Sequence, residues 1–282
     1  RRSDPSVRGV CRDGSASPDA DRFRGVASPR ARWKSLARND LTRPIGASLS
    51  VLTDGAGPSV VRVSACTRPC GESGGDFYDL LPFDEEHLGV FIGDVSGHGP
   101  HVGAIGEITR DLMRQQARRF GAGAPASMLI SLNQSLFSHL PRNIFVTAIF
   151  GILHRPSGAF RMVRAGHSRP FLVRDGEVRE IDTDGIALGL DNGELFRESL
   201  ETERIVFREG TRLFLYTDGL VEAEDPSGGE FGLDRLRASL QSHDAVLGEE
   251  AFLAGVLGDW RAHLSGLGPE DDVTVIGLHR AL

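Results

Sequence analysis

The sequence predicts an α+β domain in which antiparallel sheets are covered by helices. Three observations lead there. From Val60 onward, short β-rich runs punctuated by turn signals dominate the chain. Two of these runs, Phe145–Leu153 and Ala159–Arg164, are joined by a short loop holding Pro156-Ser157-Gly158, a length that suits a hairpin and not a parallel crossover. Strands and helices also fail to alternate, which disfavours a doubly wound parallel sheet.

Residues 1–45 are rich in Arg, Ser, Asp, Pro and Gly and cannot bury enough surface to offset the entropy of ordering. They are expected to be a disordered, basic, linker-like tail, and 46–282 the folded domain. Within the tail, Phe23–Leu41 has Trp33 and Leu36 among its basic residues; a solvated tail is preferred there to a short docking helix. The remaining strand runs are Val60–Ser64, Leu88–Ile92, Pro170–Val173, Arg212–Tyr216 and Val273–Leu278, with Asp175-Gly176 as a further turn. Helical periodicity covers His101–Arg119, Ser127–Leu140, Leu233–Leu240 and Glu249–Leu264; in the second, Leu129, Leu132, Leu136 and Phe137 share one face. No internal repeat is visible.

Composition narrows the function. The chain has 282 residues, 40% hydrophobic, which suits one large domain with or without a tail. A net charge of −7 argues against a nucleic-acid-binding module, whose affinity comes from Lys and Arg on phosphates. Three cysteines, an odd number, suggest a reducing compartment and hence the cytoplasm. Cys66 and Cys70 lack the second Cys or His pair that zinc would need. No apolar run reaches the roughly 18 residues of a membrane span, and no signal peptide is evident. The chain begins at Arg1, which leaves an upstream sensor domain open.

Four Asp-bearing motifs stand where a strand is expected to enter or leave a turn. They are Gly74-Gly75-Asp76-Phe77-Tyr78-Asp79, Gly93-Asp94-Val95-Ser96-Gly97-His98-Gly99, Tyr216-Thr217-Asp218-Gly219 and Asp271-Asp272-Val273-Thr274. A carboxylate just past a buried strand has a rigid support, and a neighbouring Gly permits close backbone approach. Carboxylates gathered in one cleft repel each other and call for cations, and oxygen-only ligands select Mg²⁺ or Mn²⁺. Two such ions about 4 Å apart lower the pKa of a shared water and neutralise phosphate oxygens. They also supply the positive field that an acidic chain lacks. One Asp-Gly alone would be an ordinary turn; the argument rests on four.

These motifs resemble the metal-dependent protein phosphatase (PPM) family, in its bacterial stage II sporulation protein E (SpoIIE) branch. The likeness runs from Val60 to His279 and includes Ala165-Gly166-His167, Leu188-Gly189-Leu190 and the string Leu215–Ala223. It implies an α-β-β-α sandwich with a two-metal site at one edge of the sheets. It implies that Asp94 bridges both ions, that the Val95 carbonyl helps bind one, that Asp76 serves one ion, and that Asp218 and Asp271 serve the other. Asp272 is left between ligand and loop-positioning residue. A metal-activated water would attack phosphorus in line, with no phosphoenzyme. The implied substrate is a phosphorylated protein, an anti-sigma-factor antagonist of a partner-switching pathway, and the implied regulator an attached sensor or activator. Two stretches depart from the family pattern: the lead-in Pro69-Cys70-Gly71-Glu72-Ser73 and the segment Ser168-Arg169-Pro170. Both bear on the rim of the site and not on the proposed ligands.

Other readings carry less. Gly75-Asp76-Phe77 lacks the acidic residue that a diguanylate cyclase loop needs after its Asp. Ser96 does not sit in a Gly-x-Ser-x-Gly elbow and reads as a turn residue. His98 has the pKa range of a general acid but reads more simply as a loop histidine. Arg68, eight residues before Asp76, is weighed as a phosphate fork against a surface arginine, and the surface reading is preferred. His167 reads as a structural hydrogen-bonding residue. The alternative function is a pseudophosphatase, a phosphoprotein-binding regulatory module without turnover. A two-metal nuclease is disfavoured by the acidic charge.

Overall fold

Strand β4 (His87–Val95) shows how the layers are built. Leu88, Val90 and Ile92 point into one apolar cluster, while Phe91 and Val95 point into another. Successive side chains alternate between faces, so a strand apolar on both must be covered on both. In the computed structural model, which describes residues 49–51, 61–70, 74–97, 99–245 and 248–281, β4 lies inside a four-layer sandwich of helices, sheet, sheet and helices. The tail expected over residues 1–45 lies outside the described residues.

One sheet has five strands in the order β3-β4-β5-β6-β9: β3 (Phe77–Pro82), β4, β5 (Val146–His154), β6 (Ala159–Ala165) and β9 (Thr202–Val206). The other has six in the order β1-β2-β11-β10-β7-β8: β1 (Leu49–Val51), β2 (Val61–Arg68), β11 (Val273–Arg280), β10 (Arg212–Tyr216), β7 (Phe171–Arg174) and β8 (Glu177–Glu180). Every pairing within both sheets is antiparallel. Between the sheets, Val61, Val63 and Ala65 of β2 meet Leu88, Val90 and Ile92 of β4, with Leu213, Leu215, Ile276 and Leu278 completing the layer.

Helices α1 (Pro100–Phe120) and α2 (Pro125–Phe137) cover the five-stranded sheet through Met113, Met128, Leu129, Leu132 and Leu136. A six-residue helix, α3 (Glu194–Ser199), adds Phe196 to the same cluster. Helices α4 (Gly232–Ser242) and α5 (Glu249–Leu264) cover the six-stranded sheet, with Trp260 and Phe252 fully buried against it. Each such large side chain contributes about 1.5–3 kcal/mol. A buried ion pair, Arg212 Nη1 to Glu249 Oε2 at 2.7 Å, fastens the first turn of α5 to β10. Among the described residues, no helix is long and apolar enough to cross a membrane.

The predicted hairpin is β5–β6, closing at His154 opposite Ala159. Asp175 and Gly176, both at positive φ, make the two-residue turn between β7 and β8. The four strands without a sequence signal are β1, β3, β8 and β9, and these are the four sheet edges. The second helix begins and ends earlier than its periodicity suggests, at Pro125 and Phe137. Pro125 sets its first turn. Asp94 and Val95 are the last two residues of β4 and do not follow it as expected.

Candidate metal centre

The pairing registers bring the four Asp motifs to one end of the sandwich. Phe77 pairs with Gly93, so Asp76 and Asp94 leave the β3–β4 ribbon side by side. Tyr216 pairs with Val275, so Asp218 lies beside the segment that feeds β11 from Asp271 and Asp272. The first pair belongs to the five-stranded sheet and the second to the six-stranded one.

Hydrogen bonds join the two halves. Thr217, fully buried, donates its hydroxyl to Asp76 Oδ2 at 2.7 Å and accepts the Thr274 N–H at 2.9 Å. Because that N–H points at the Thr217 oxygen, its proton is left for Asp76. Asp272 accepts the Cys70 N–H on Oδ1 at 2.7 Å and the Asp76 N–H on Oδ2 at 3.4 Å. Asp271 Oδ1 accepts the Asp272 N–H at 2.7 Å, and Asp218 Oδ1 accepts the Gly219 N–H at 3.1 Å.

Gly75 makes room for oxygen. A Cβ there would lie 2.8 Å from the Val95 carbonyl oxygen and 2.9 Å from Asp94 Oδ1, so both oxygens converge on one point beside a bare backbone. The Val95 N–H is also held by the Gly75 carbonyl at 3.3 Å.

The charges interact strongly. Asp94 is pushed up to about 7, first by burial and then by Asp218, Asp271 and Asp272. Asp76 is pushed up to about 8 by burial, with Asp94 and Asp272 adding to it and the Thr217 hydroxyl opposing. Asp218 is raised by burial and by Asp271. Glu222, four residues after Asp218, is raised by burial and by Asp218, Glu230 and Asp271. An all-oxygen donor set whose members raise one another's pKa fits hard divalent cations in chemistry and in charge. Among the described residues, no three His, Cys, Asp or Glu side chains are placed to enclose a single ion.

Neighbouring residues take supporting places. The second Asp of the first motif, Asp79, binds Arg114 Nε at 2.7 Å and so fastens α1 to β3. Ser96 exchanges two 3.0 Å hydrogen bonds with the Phe145 backbone, as a turn residue does. His167 is buried with Nδ1 2.8 Å from Thr147 Oγ1, a structural role, and burial and Arg164 push its pKa down to about 3. Arg68 lies over the Trp260 ring, 5.8 Å from its centre. Cys66 and Cys70 are both free, and the Cys70 Sγ donates to the Pro269 carbonyl at 3.1 Å. His98 lies outside the described residues. Thr217 and Glu222 were not singled out in the sequence, although both stand in the Leu215–Ala223 string. No spacing signals that a threonine hydroxyl crosses between two sheets.

Two antiparallel sheets between two helical layers, with the acidic motifs at one end, define the PP2C-type protein phosphatase fold. The chain belongs to the stage II sporulation protein E (SpoIIE) family, whose model matches residues 84–281. It is 24% identical over 246 residues to Protein IcfG of Synechocystis, covering 78% of this chain and 38% of that protein. Among solved structures, it resembles the RsbU and RsbW domains of Rv1364c from Mycobacterium tuberculosis, with a TM-score of 0.65 and 24% identity over 79% of this chain and 60% of that one. It also resembles the SiaA PP2C domain of Pseudomonas aeruginosa, with a TM-score of 0.66 and 22% identity over 77% of this chain and 85% of that one. The chain therefore spans little more than a third of IcfG and less than two thirds of the mycobacterial structure. Metals occur in structures of this fold: PstP with two manganese ions, at a TM-score of 0.54 and 18% identity, and RsbX with magnesium, at 0.55 and 15%.

Proposed function

We propose that this domain hydrolyses phosphoserine or phosphothreonine on a partner protein, using two Mn²⁺ or Mg²⁺ ions held by Asp76, Asp94, the Val95 carbonyl, Asp218 and Asp271. The observation that carries the reading is the shared field of two carboxylate pairs from two different sheets. Asp94, on the five-stranded sheet, is perturbed by Asp218 and Asp271 of the six-stranded sheet. A gathering of this kind is unfavourable without cations, which supports reading it as a site for them. Bound ions would supply a water of lowered pKa and neutralise the phosphate oxygens. The chain's own residues provide the frame. Asp94, whose field both pairs share, would serve both ions, and Thr217 holds one oxygen of Asp76, so that Oδ1 would be the one offered to a cation.

The substrate we propose is a phosphorylated anti-sigma-factor antagonist in a partner-switching pathway, the class that the family resemblance implies, with a sensor domain or partner as activator. The proposed compartment is the cytoplasm. Phosphate release from a phosphoserine peptide and from p-nitrophenyl phosphate tests the activity, with Mn²⁺, with EDTA and in Asp94→Asn. Turnover that needs metal and disappears in the variant is expected. A chain that neither turns over nor binds Mn²⁺ by calorimetry overturns the reading, and tight Mn²⁺ binding without turnover favours a phosphoprotein-binding module.

A further inference from the structure

We propose that Asp272 is a positioning residue, whose buried carboxylate clasps the end of β2 to the start of β3 and so sets where Asp76 stands relative to Asp218 and Asp271. The inference rests on the two-ion reading above and deepens it. Asp272 is 6% exposed, and each of its oxygens faces a backbone donor: Oδ1 the Cys70 N–H, Oδ2 the Asp76 N–H. Cys70 lies just past β2 and Asp76 just before β3, so one side chain ties the six-stranded sheet to the five-stranded one.

Two glycines are shaped around it. A Cβ on Gly74 would lie 2.0 Å from Asp272 Oδ2 and 2.6 Å from Oδ1, so only a bare backbone lies this close to the carboxylate. A Cβ on Gly219 would lie 2.2 Å from the Asp272 carbonyl oxygen. The turn that carries Asp218 therefore packs on the backbone of the same residue. Two segments close on Asp272 and bring the proposed ligands Asp76 and Asp218, while its own segment carries Asp271. Turning the carboxylate toward a cation would strip two partly buried backbone N–H groups of their acceptors. That separates Asp272 from its neighbour Asp271, whose carboxylate accepts the N–H next to it in the chain.

Asp272→Asn tests the clasp. It keeps the shape but offers one acceptor oxygen to two N–H donors and sets its own NH₂ against the other. Mn²⁺ titration by calorimetry on the full chain, well below the unfolding temperature, is expected to give the wild-type number of ions with affinity weakened by about 10–100-fold. Loss of one ion with the other unchanged would make Asp272 a ligand and overturn the proposal. Unchanged number and affinity with only a lower unfolding temperature would make it a mere brace and also overturn it. Gly74→Ala presses on the same carboxylate from outside and is expected to weaken Mn²⁺ in the same direction, which keeps the question open to test if Asp272→Asn does not fold. Amide exchange in the metal-free protein separates this proposal from the two-ion reading. At least one of the Cys70 and Asp76 N–H groups, the one set against the new NH₂, should exchange roughly tenfold faster in Asp272→Asn than in wild type, as expected for a lost bond to a charged acceptor. Equal exchange rates overturn the clasp, whereas a wild-type chain that takes up no Mn²⁺ overturns the two-ion reading.

Discussion

Thr217 and Asp76, 141 residues apart in the chain, are joined by a 2.7 Å hydrogen bond from the threonine hydroxyl to Oδ2 across the gap between the two sheets. The Thr274 N–H occupies the hydroxyl oxygen, which leaves the proton no better acceptor than Asp76. If Asp76 serves a cation as proposed above, the bond selects which carboxylate oxygen would face it.

Thr217→Val keeps the volume and removes the donor. Mn²⁺ affinity is expected to fall about 10–100-fold, and stability by about 1–3 kcal/mol, because the Thr274 N–H loses its acceptor in a buried place. Thr217→Ser should restore most of both. Calorimetry with Mn²⁺ and urea unfolding in EDTA measure the two effects, and a serine variant as weak as valine would refute the hydrogen-bond account.

Asp94→Asn should separate stability from function. In the metal-free chain, Asp94 is half-buried in a field of Asp218, Asp271 and Asp272. Removing its charge is expected to raise the unfolding temperature in EDTA by ~2–4 °C, the equivalent of roughly 1 kcal/mol in a domain of this size. The same change should abolish Mn²⁺ stabilisation. Thermal unfolding of both proteins with EDTA and with Mn²⁺ decides; a variant less stable than wild type in EDTA would show that Asp94 is not under charge strain.

His167 gives a pH dependence of definite sign. Its folded pKa is depressed to about 3 from an ordinary 6.5, so below pH 6.5 the unfolded chain binds the proton that the folded chain refuses. The stability contributed by the neutral ring is complete above pH 6.5 and is lost as pH falls toward 3. One group of this kind changes stability by at most about 1.4 kcal/mol per pH unit. Between pH 6 and 4, His167→Gln should flatten the wild-type slope by up to that amount, read from urea unfolding at each pH. Equal slopes in the two proteins would place the ring in a site that accepts charge.

The strands legible in the sequence are the central ones. β4, β5, β10 and β11 are covered on both faces, so nearly every position along them is buried and most are apolar. The unread strands are β1, β3, β8 and β9. Three of them show the reason in their residues: Phe77–Pro82 holds an Asp and ends in Pro, Glu177–Glu180 reads Glu-Val-Arg-Glu, and Thr202–Val206 carries Glu203 and Arg204. Edge strands are half-solvated and carry polar residues or Pro, which weakens the signal that marks a strand. α3 is too short at six residues to show a helical period.

The sequence by itself determined the α+β class, the β5–β6 hairpin, the turn at Asp175-Gly176 and the four acidic motifs, because these follow from local periodicity and turn chemistry. It also carried the family, through the order and spacing of those motifs. Only the tertiary structure decided which residues of the motifs serve which part. Asp79 turned out to hold Arg114 of α1, Thr217 to orient Asp76, and Asp272 to face two backbone N–H groups. Each of these assignments depends on a partner 35 to 202 residues away in the chain. A carboxylate's role is set by what stands within about 3 Å of its oxygens, and for a residue at the meeting of two sheets those atoms arrive from the other sheet, where no sequence period reaches.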